Sequence, residues 1–444
     1  MVSIQSAVTR VKADLGRWVG AAAIVQQCER AGHVWRQGPL DPAATLWLFL
    51  VQVLHGNTAI QHLRHLASMT CSASAYCQAR IRLPLAVIEA VGRSVTAALV
   101  GSSGDVGRWL GHRVWQIDGT GFSMPDTDAL RDRFGQPSAQ RVGCGFPVAK
   151  LLVLTDAATG FIAKTLALPL RTHEMAHAAV THAALSANDV LVADRGFCSY
   201  VHLALVLQRH LHAVFRVHQK TIVSFKRGRP HAGQYPKHAR TGLPTSKWLK
   251  ALGPTDQLVQ WVKPATCPSW CDAKTFGKLP GAITLRELRY RVDRPGFRTK
   301  DVTLVTTLLD ADAYPKAELA ERYRQRWDIE KRLRELKITL RMDVLRCKTP
   351  DGVLKELAVF TLVYNLVRAA CLASAAERGV PPDRISFTDA MRWLREPRPW
   401  VSLSELLVNP TRPDRIEPRV RKRRPKQYPL MQKPRSELKE LLLR

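Results

Sequence analysis

One short segment carries side chains whose types and spacing suit chemistry on a phosphate. Tyr323, Arg326, Glu330 and Lys337 follow one another at steps of three, four and seven residues. Since each residue of a helix turns by roughly 100°, these steps predict that the four side chains share one broad helical face. A carboxylate flanked by two cations and a phenol is an unusual surface for a purely structural helix. It indicates a site where a metal ion and a phosphate lie side by side.

Two further carboxylates end apolar runs that predict β-strands. Asp118 follows Val-Trp-Gln-Ile, and Asp194 follows Val-Leu-Val-Ala. Either Asp alone would more often cap a turn, but strands of an α/β sheet place their terminal residues at one edge. With Glu330 they would form three hard oxygen ligands, which suit Mg²⁺ or Mn²⁺. Two such ions, roughly 4 Å apart, can activate a water or a 3′-hydroxyl, so the residues predict metal-dependent phosphodiester chemistry.

The surrounding segments predict the elements that would position these acids. Residues 1–105 predict an N-terminal helical DNA-binding domain, and 106–217 predict the first part of an α/β core in the order β-β-β-α-β-α-β. A β-rich insertion is expected over 218–312, the rest of the core with a long Glu330 helix over 313–348, and helices with a basic tail over 349–444. This order matches a ribonuclease H-like catalytic core with an inserted β domain. Within the first domain, the segment 74–84 mixes cations with a Tyr and fits either a DNA-reading helix or a solvated face.

The amino-acid composition indicates the class of binding partner and the cellular compartment. The 444 residues contain 67 Lys and Arg against 37 Asp and Glu, a formal net charge of +30, which favours a nucleic-acid partner. The nine Cys contain no CxxC pair, and we expect reduced thiols in a cytoplasm. The N-terminus lacks the order of a signal peptide, and no apolar run is expected to reach the roughly 18 residues of a membrane span, so no membrane partner is expected.

The motifs resemble those of DDE transposases from bacterial insertion sequences, the insertion-sequence-four family. Tyr323, Arg326, Glu330 and Lys337 reproduce its Y-x2-R-x3-E-x6-K signature, and the segments around Asp118 and Asp194 are similar to its two other acidic motifs. The resemblance spans about 112–345. It implies that the three acids bind two catalytic Mg²⁺ ions, with Mn²⁺ as a substitute.

The resemblance also implies the roles of the cations and the DNA partners. Tyr323, Arg326 and Lys337 would contact phosphates beside the cut, as would Arg216 on the strand after Asp194. The substrates would be double-stranded DNA with terminal inverted repeats and target DNA, cut and pasted by a homodimer in a synaptic complex. The enzyme would act in the bacterial cytoplasm, associated with the nucleoid.

Tryptophans are further candidates for DNA contact. Trp327 directly follows Arg326 and could stack on a base, although buried packing fits it equally well. Relatives that form a DNA hairpin hold a flipped base with a Trp in the insertion, and this sequence has no Trp at the corresponding start of the strand near Val302. Trp261 or Trp270 could take that role, and the use of a hairpin stays open.

Three other functions fit parts of the sequence. His173-Glu-Met-Ala-His177 matches the HExxH motif of zinc peptidases, but a third ligand is missing at the expected spacing. The chain could also be a non-catalytic DNA-binding protein derived from a transposase, which the intact acidic triad disfavours. A stand-alone nuclease of the same fold would explain the acids, but not the signature cations and the large insertion.

Overall fold

The fold is taken from a computed structural model of the chain. The structure describes residues 19–66, 71–104, 106–137, 141, 143–234, 242–292, 301–395, 402–410 and 431–443. The cationic block at 419–424, predicted from the sequence as part of the basic tail, lies outside these residues.

The described strands form one mixed sheet in the order β3-β2-β1-β4-β5-β9-β8-β7-β6. They are β1 (Val114–Ser123), β2 (Val148–Asp156), β3 (Ile162–Pro169), β4 (Val190–Ala193), β5 (His212–Arg216), β6 (Lys247–Gly253), β7 (Asp256–Val262), β8 (Ala282–Arg291) and β9 (Asp301–Thr306). β4 and β5 run parallel to β1, and β2 runs antiparallel to it. Every residue of β4 is buried, as expected of a parallel strand covered on both faces.

β1 is longer than the sequence pattern predicts. The strand was expected to end at Asp118, but it continues to Ser123 because β2 offers hydrogen-bonding partners along its whole length. Only the parallel pairing with β4 stops, after Ile117 meets Ala193. Asp118 therefore lies where β1 leaves β4, rather than at the end of a strand.

The four strands within 218–312 extend the same sheet. β9 pairs antiparallel with β5, where Val214 meets Thr306, and β8, β7 and β6 follow outward as a meander. The β-rich character expected of this range is therefore present. Its strands share one hydrogen-bonded sheet with β1 to β5.

Helices pack on both faces of the sheet, and those from the N- and C-terminal parts of the described chain share one core with β1, β2 and β3. They are α1 (Ala21–Arg30), α2 (Pro42–Leu54), α3 (Ala73–Arg82), α4 (Leu85–Ser102), α5 (Asp128–Phe134), α6 (Met175–Thr181), α7 (Tyr200–Gln208), α8 (Ala273–Lys278), α9 (Lys316–Arg324), α10 (Asp328–Arg334), α11 (Pro350–Arg378), α12 (Phe387–Arg395) and α13 (Arg435–Leu443). α11 begins with the Thr349 side chain accepting from the Gly352 N–H and Pro350 in the first turn, and ends at left-handed Gly379. It packs against α2, α4 and α12, which makes it the centre of the helical core.

Two helices correct the expectation that no segment is long and apolar enough for a membrane span. By length and composition alone, α4 and α11 could both cross a membrane. In α11, however, 78% of the most apolar window is buried inside the protein, and α4 packs along it. Burial within the helical core accounts for the apolar character of α11.

α3 turns inward two of the three residues that made it a candidate DNA-reading helix, Tyr76 and Arg80, whereas Arg82 is exposed. Tyr76 is fully buried, and the Arg80 guanidinium lies 3.7 Å from the Phe49 ring centroid while its Nη1 donates to Gln52 Oε1 at 2.8 Å. Neither side chain is on a solvated face. Both serve the packing of α3 against α2.

The long helix predicted to carry Glu330 is interrupted twice. A 3₁₀ turn (Gln325–Trp327) separates α9 from α10, and a π turn (Glu335–Thr339) follows α10. Both turns change the rotation per residue, so regular helical spacing does not hold over the whole of 323–337. Arg326 still contacts both Tyr323 and Glu330, as expected if these three side chains share one face. Arg326 and Lys337 lie in these two turns, whereas Tyr323 and Glu330 lie in α9 and α10.

Candidate active site

Two of the predicted acids lie side by side at the point where β1 and β4 separate. Because Ile117 pairs with Ala193, the next residues of the two strands are Asp118 and Asp194. Asp118 accepts a hydrogen bond from the Gly119 N–H at 2.8 Å, and Asp194 accepts one from the Gly196 N–H at 2.7 Å, at the start of a short 3₁₀ turn. These contacts with the local backbone hold each carboxylate in a fixed orientation.

Arg326 lies between the third acid, Glu330, and the first, Asp118. Its Nη2 lies 3.2 Å from Glu330 Oε1, and its Nη1 lies 3.5 Å from Asp118 Oδ2. The Arg326 side chain is only 9% exposed, whereas the Glu330 side chain is 44% exposed. Glu330 therefore faces solvent at the rim, with the buried guanidinium between it and β1.

The acids influence one another electrostatically. Burial raises the pKa of Asp118 to about 6, while the Gly119 N–H and the Arg326 guanidinium act against this rise. The negative charges of Asp194 and Glu330 raise the Asp118 pKa further. The charges of Asp194 and Glu330 therefore reach Asp118, so the three carboxylates belong to one electrostatic cluster.

Tyr323 and Arg216 line the neighbouring side of the cluster. Burial raises the pKa of the Tyr323 phenol to about 12, and the positive charges of Arg326 and Arg216 oppose the shift. Arg216 ends β5 opposite Leu304 of β9 and is half-buried. Hence Tyr323, Arg326 and Arg216 meet beside the carboxylates and form a surface suited to a phosphate.

Lys337 lies further along, in the π turn. Its side chain is half-buried and has no ion-pair partner within the described chain. Because the π turn begins at Glu335, the distance from Lys337 to the acids does not follow regular helical spacing.

The architecture of the site agrees with a comparison against known protein families. Residues 109–366, more than half of the chain, match the family model described as a transposase DDE domain. The chain belongs to the DDE transposase family. This confirms the family resemblance and the function as a transposase, an enzyme class that catalyses DNA cleavage and strand transfer.

Two individual proteins are similar to this transposase. The transposase InsG for insertion sequence element IS4 of Escherichia coli (strain K12) is 28% identical over 375 residues, which cover 80% of this chain and 78% of the relative. A cryo-EM structure of the piggyBac transposase synaptic complex with hairpin DNA aligns with a TM-score of 0.43 and 12% identity, over 88% of this chain and 76% of that one. The second likeness is too distant to define the fold.

Divalent metal ions are general cofactors of the family, and the side chains of this transposase have the matching chemistry. Carboxylate oxygens are the ligands that Mg²⁺ and Mn²⁺ prefer, and the mutual repulsion at Asp118 is what a divalent cation would relieve. In the described ranges, no three His, Cys, Asp or Glu side chains are gathered around one point as a closed metal site. The donor types of Asp118, Asp194 and Glu330 fit such an ion, with Arg326 standing between two of them.

The three candidate tryptophans differ in the solvent exposure of their side chains. Trp327 is 45% exposed, and the Arg326 guanidinium carbon lies 5.4 Å from its ring centroid. Trp261 is half-buried, and its indole N–H donates to the buried Glu287 Oε1 at 2.9 Å. Trp270 packs at the edge of the same core. Base stacking stays a prediction for all three, and Trp327 has the most exposed ring.

The zinc-peptidase reading of the HExxH match is wrong. That motif requires both His on one helix, but α6 begins at Met175, after His173 and Glu174. The His173 Nδ1 instead accepts from the Met175 N–H at 3.3 Å, and Glu174 packs against Gly119 next to an ion-pair contact with Lys150 at 3.9 Å. Glu174 thus contacts β1, whereas the His173 side chain is exposed.

Two further residues beside the acids are not predicted from the sequence. Gln116 and Arg332 are buried, at 1% and 2% exposure, and both contact the elements that carry the acids. The signal in the sequence was a Gln inside an apolar strand, Val-Trp-Gln-Ile, where burial requires hydrogen-bond partners.

Proposed function

We propose that this transposase uses Asp118, Asp194 and Glu330 to bind two Mg²⁺ ions and cuts DNA at the inverted-repeat ends of its own insertion sequence. The observation that carries the proposal is the pairing of Ile117 with Ala193, which makes Asp118 and Asp194 neighbours while Arg326 links Asp118 to Glu330. Mn²⁺ would substitute for Mg²⁺, since both accept carboxylate oxygens.

The proposed core is ribonuclease H-like. The order β3-β2-β1-β4-β5, with β4 and β5 parallel to β1 and β2 antiparallel, supports it. We further propose residues 1–105 as a DNA-binding domain, 106–217 and 313–348 as the two parts of the catalytic core, 218–312 as the β-rich insertion and 349–444 as the C-terminal region.

The residues around the acids would hold the DNA backbone for an in-line displacement. Arg326 and Arg216 would bind the oxygens of the phosphate to be cut. Tyr323 would limit the movement of Arg326, because the Arg326 guanidinium carbon lies 5.9 Å from the centroid of its buried ring. Lys337 would contact a neighbouring phosphate. When bound, the metal ions supply the activated oxygen nucleophile and the charge that stabilises the leaving oxygen.

The reaction would proceed in two stages at one site. A water would first cleave one strand and release a 3′-hydroxyl, which would then attack the opposite strand or the target DNA. Because the two ends of the element must be joined, we expect a homodimer in the synaptic complex. The enzyme would act in the bacterial cytoplasm, on DNA of the nucleoid. Trp327 is the stacking residue we favour beside the cut, since its ring is exposed next to Arg326.

The test is cleavage of a DNA fragment that carries the inverted repeats flanking the gene. Purified protein with Mg²⁺ should nick at the repeat boundary, and EDTA or Asp118→Asn should abolish nicking while repeat binding persists. Asp312→Asn, at an exposed carboxylate in the loop before α9, is the matched control and should cleave like the wild type. Repeat-specific binding without cleavage under either Mg²⁺ or Mn²⁺ would instead identify a non-catalytic DNA-binding protein. Cleavage without strand transfer would favour a nuclease.

A further inference from the structure

Gln116 connects the strand that carries Asp118 to the segment that carries Arg326. It lies two residues before Asp118 on β1, and alternate strand residues point to the same face of a sheet. Its Nε2 donates to the Gln325 carbonyl at 2.9 Å, directly before Arg326. This hydrogen bond joins β1 to the 3₁₀ turn between α9 and α10, in addition to the contact of Arg326 with Asp118.

The other end of the same amide reaches the helix that carries Glu330. Gln116 Oε1 accepts from Arg332 Nη1 at 3.3 Å, and Arg332 lies two residues after Glu330 in α10. Arg332 also donates from Nη1 to the Asp156 carbonyl at 3.0 Å and from Nη2 to the Ala157 carbonyl at 2.7 Å, in the turn after β2. A further ion-pair contact, to Asp383 at 3.6 Å, holds the guanidinium from the side of the C-terminal helices.

We infer that Gln116 and Arg332 are positioning residues that fix Asp118 on β1 at the right distance from Arg326 and Glu330. The inference rests on the catalytic roles proposed above for Asp118 and Glu330. Asp118 and Glu330 belong to elements more than 200 residues apart in the chain. The 3₁₀ and π turns interrupt the regular helical hydrogen bonds on both sides of the helix that carries Glu330. A buried amide with a defined donor and acceptor sets this spacing more sharply than apolar contacts would.

Burial of the polar groups of Gln116 and Arg332 costs free energy of folding. Gln116 interrupts the apolar run at 114–117, at the start of β1. The Arg332 Nε is buried and has no hydrogen-bond partner among the described residues. An apolar side chain of the same size would fill the space without a desolvation cost. The polar contacts therefore point to a requirement for geometry at the neighbouring acids.

Gln116→Met is the direct test, because it keeps the length of the side chain and removes both hydrogen bonds. Single-turnover cleavage of the repeat fragment should slow by about a hundredfold at saturating protein, as expected for a misplacement of about 1 Å. The dissociation constant for the repeat should change by less than about twofold, and the half-saturating Mg²⁺ concentration should rise. The double variant with Arg332→Met should lose less activity than the sum of the two single effects, because the two residues share the contact that joins β1 to α10.

Asn365→Leu provides the matched control for the loss of a buried amide. Asn365 is fully buried in α11, donates to Thr96 Oγ1 and the Ile162 carbonyl, and accepts from the Ile162 N–H, all away from the acids. Its variant should lose stability with little change in the cleavage rate per folded molecule. If Gln116→Met fails to fold, Arg332→Lys carries the test, since it keeps the charge and loses the fork of donors.

The inference is overturned if Gln116→Met cleaves within about threefold of the wild type, loses no more activity than Asn365→Leu, or loses repeat binding in parallel with cleavage. These outcomes differ from failure of the proposed function, in which the wild-type protein itself would not cleave the repeat fragment.

Discussion

At the scale of single residues, the geometry of the candidate site depends on Arg326. A planar guanidinium can reach two carboxylates at once, whereas the ammonium group of Lys offers a single point charge. Here the fork spans Asp118 and Glu330 while the flat face lies near the rings of Tyr323 and Trp327, at 5.9 Å and 5.4 Å. Each of the four neighbours limits where the guanidinium can move, so a bound phosphate would meet a donor that is already oriented.

The first prediction concerns Glu330. Glu330→Gln keeps the size of the side chain and removes its charge, so it should lower repeat cleavage by about a thousandfold or more and leave repeat binding intact. Gel-shift and cleavage assays on the same fragment separate the two effects. Asp328→Asn, two residues earlier and paired with Lys331 at the surface, should cleave normally. Loss of binding in Glu330→Gln alone would show that Glu330 has a structural role.

At the scale of elements, a buried pair of histidines joins the turn after α6 to α7. His182 Nε2 and His202 Nε2 are 3.0 Å apart, and the His202 Nδ1 lies 2.8 Å from the Phe197 carbonyl. If His202 donates to that carbonyl, its Nε2 must accept the proton of His182. Both rings are then neutral, and burial lowers the pKa of His182 to about 3 and that of His202 to about 4.

This pair predicts a loss of stability in mild acid. The unfolded chain takes up protons near pH 6.5, whereas the folded chain takes them up only near the lowered pKa values, so protons favour unfolding between these limits. The free energy of unfolding should fall as the pH drops from about 6.5 towards 4, by about 1.4 kcal/mol per pH unit for each imidazole. Denaturant unfolding of His182→Gln should show a shallower dependence, and an unchanged slope would contradict the account.

Some of the elements around the site could be predicted from the sequence, and others could not. Apolar runs identified β1 and β4, and thereby placed Asp118 and Asp194 at adjacent strands, because burial of alternating or continuous apolar residues is a local property. The 3₁₀ and π turns around α10 were missed, since no residue in 325–339 is a Gly or Pro that would mark an interruption of the helix. The contact of Gln116 with Arg332 joins positions 216 residues apart, which no local pattern reveals.

At the scale of the whole molecule, the charge of +30 governs how the transposase meets DNA. Phosphate contacts release counterions, so the affinity for DNA should fall linearly with salt on a logarithmic plot. With about six phosphates contacted, each doubling of salt would weaken binding roughly forty-fold. Fluorescence anisotropy in a KCl series measures this slope, and Lys337→Ala should make it shallower by about one unit. A wild-type slope below about two would be inconsistent with a backbone-tracking surface.

The sheet order has a consequence for how the chain is made. β5 is complete at Arg216, but its partner β9 begins only at Asp301, and Glu330 follows later still. During synthesis, the growing chain therefore exposes the unpaired edge of β5 until β9 has left the ribosome, and such edges invite pairing with other chains. A truncated product ending before residue 301 would lack both the covering strand and the third acid. Copies that end before residue 301 should therefore be prone to aggregation and, without the proposed third acid, unable to cut DNA.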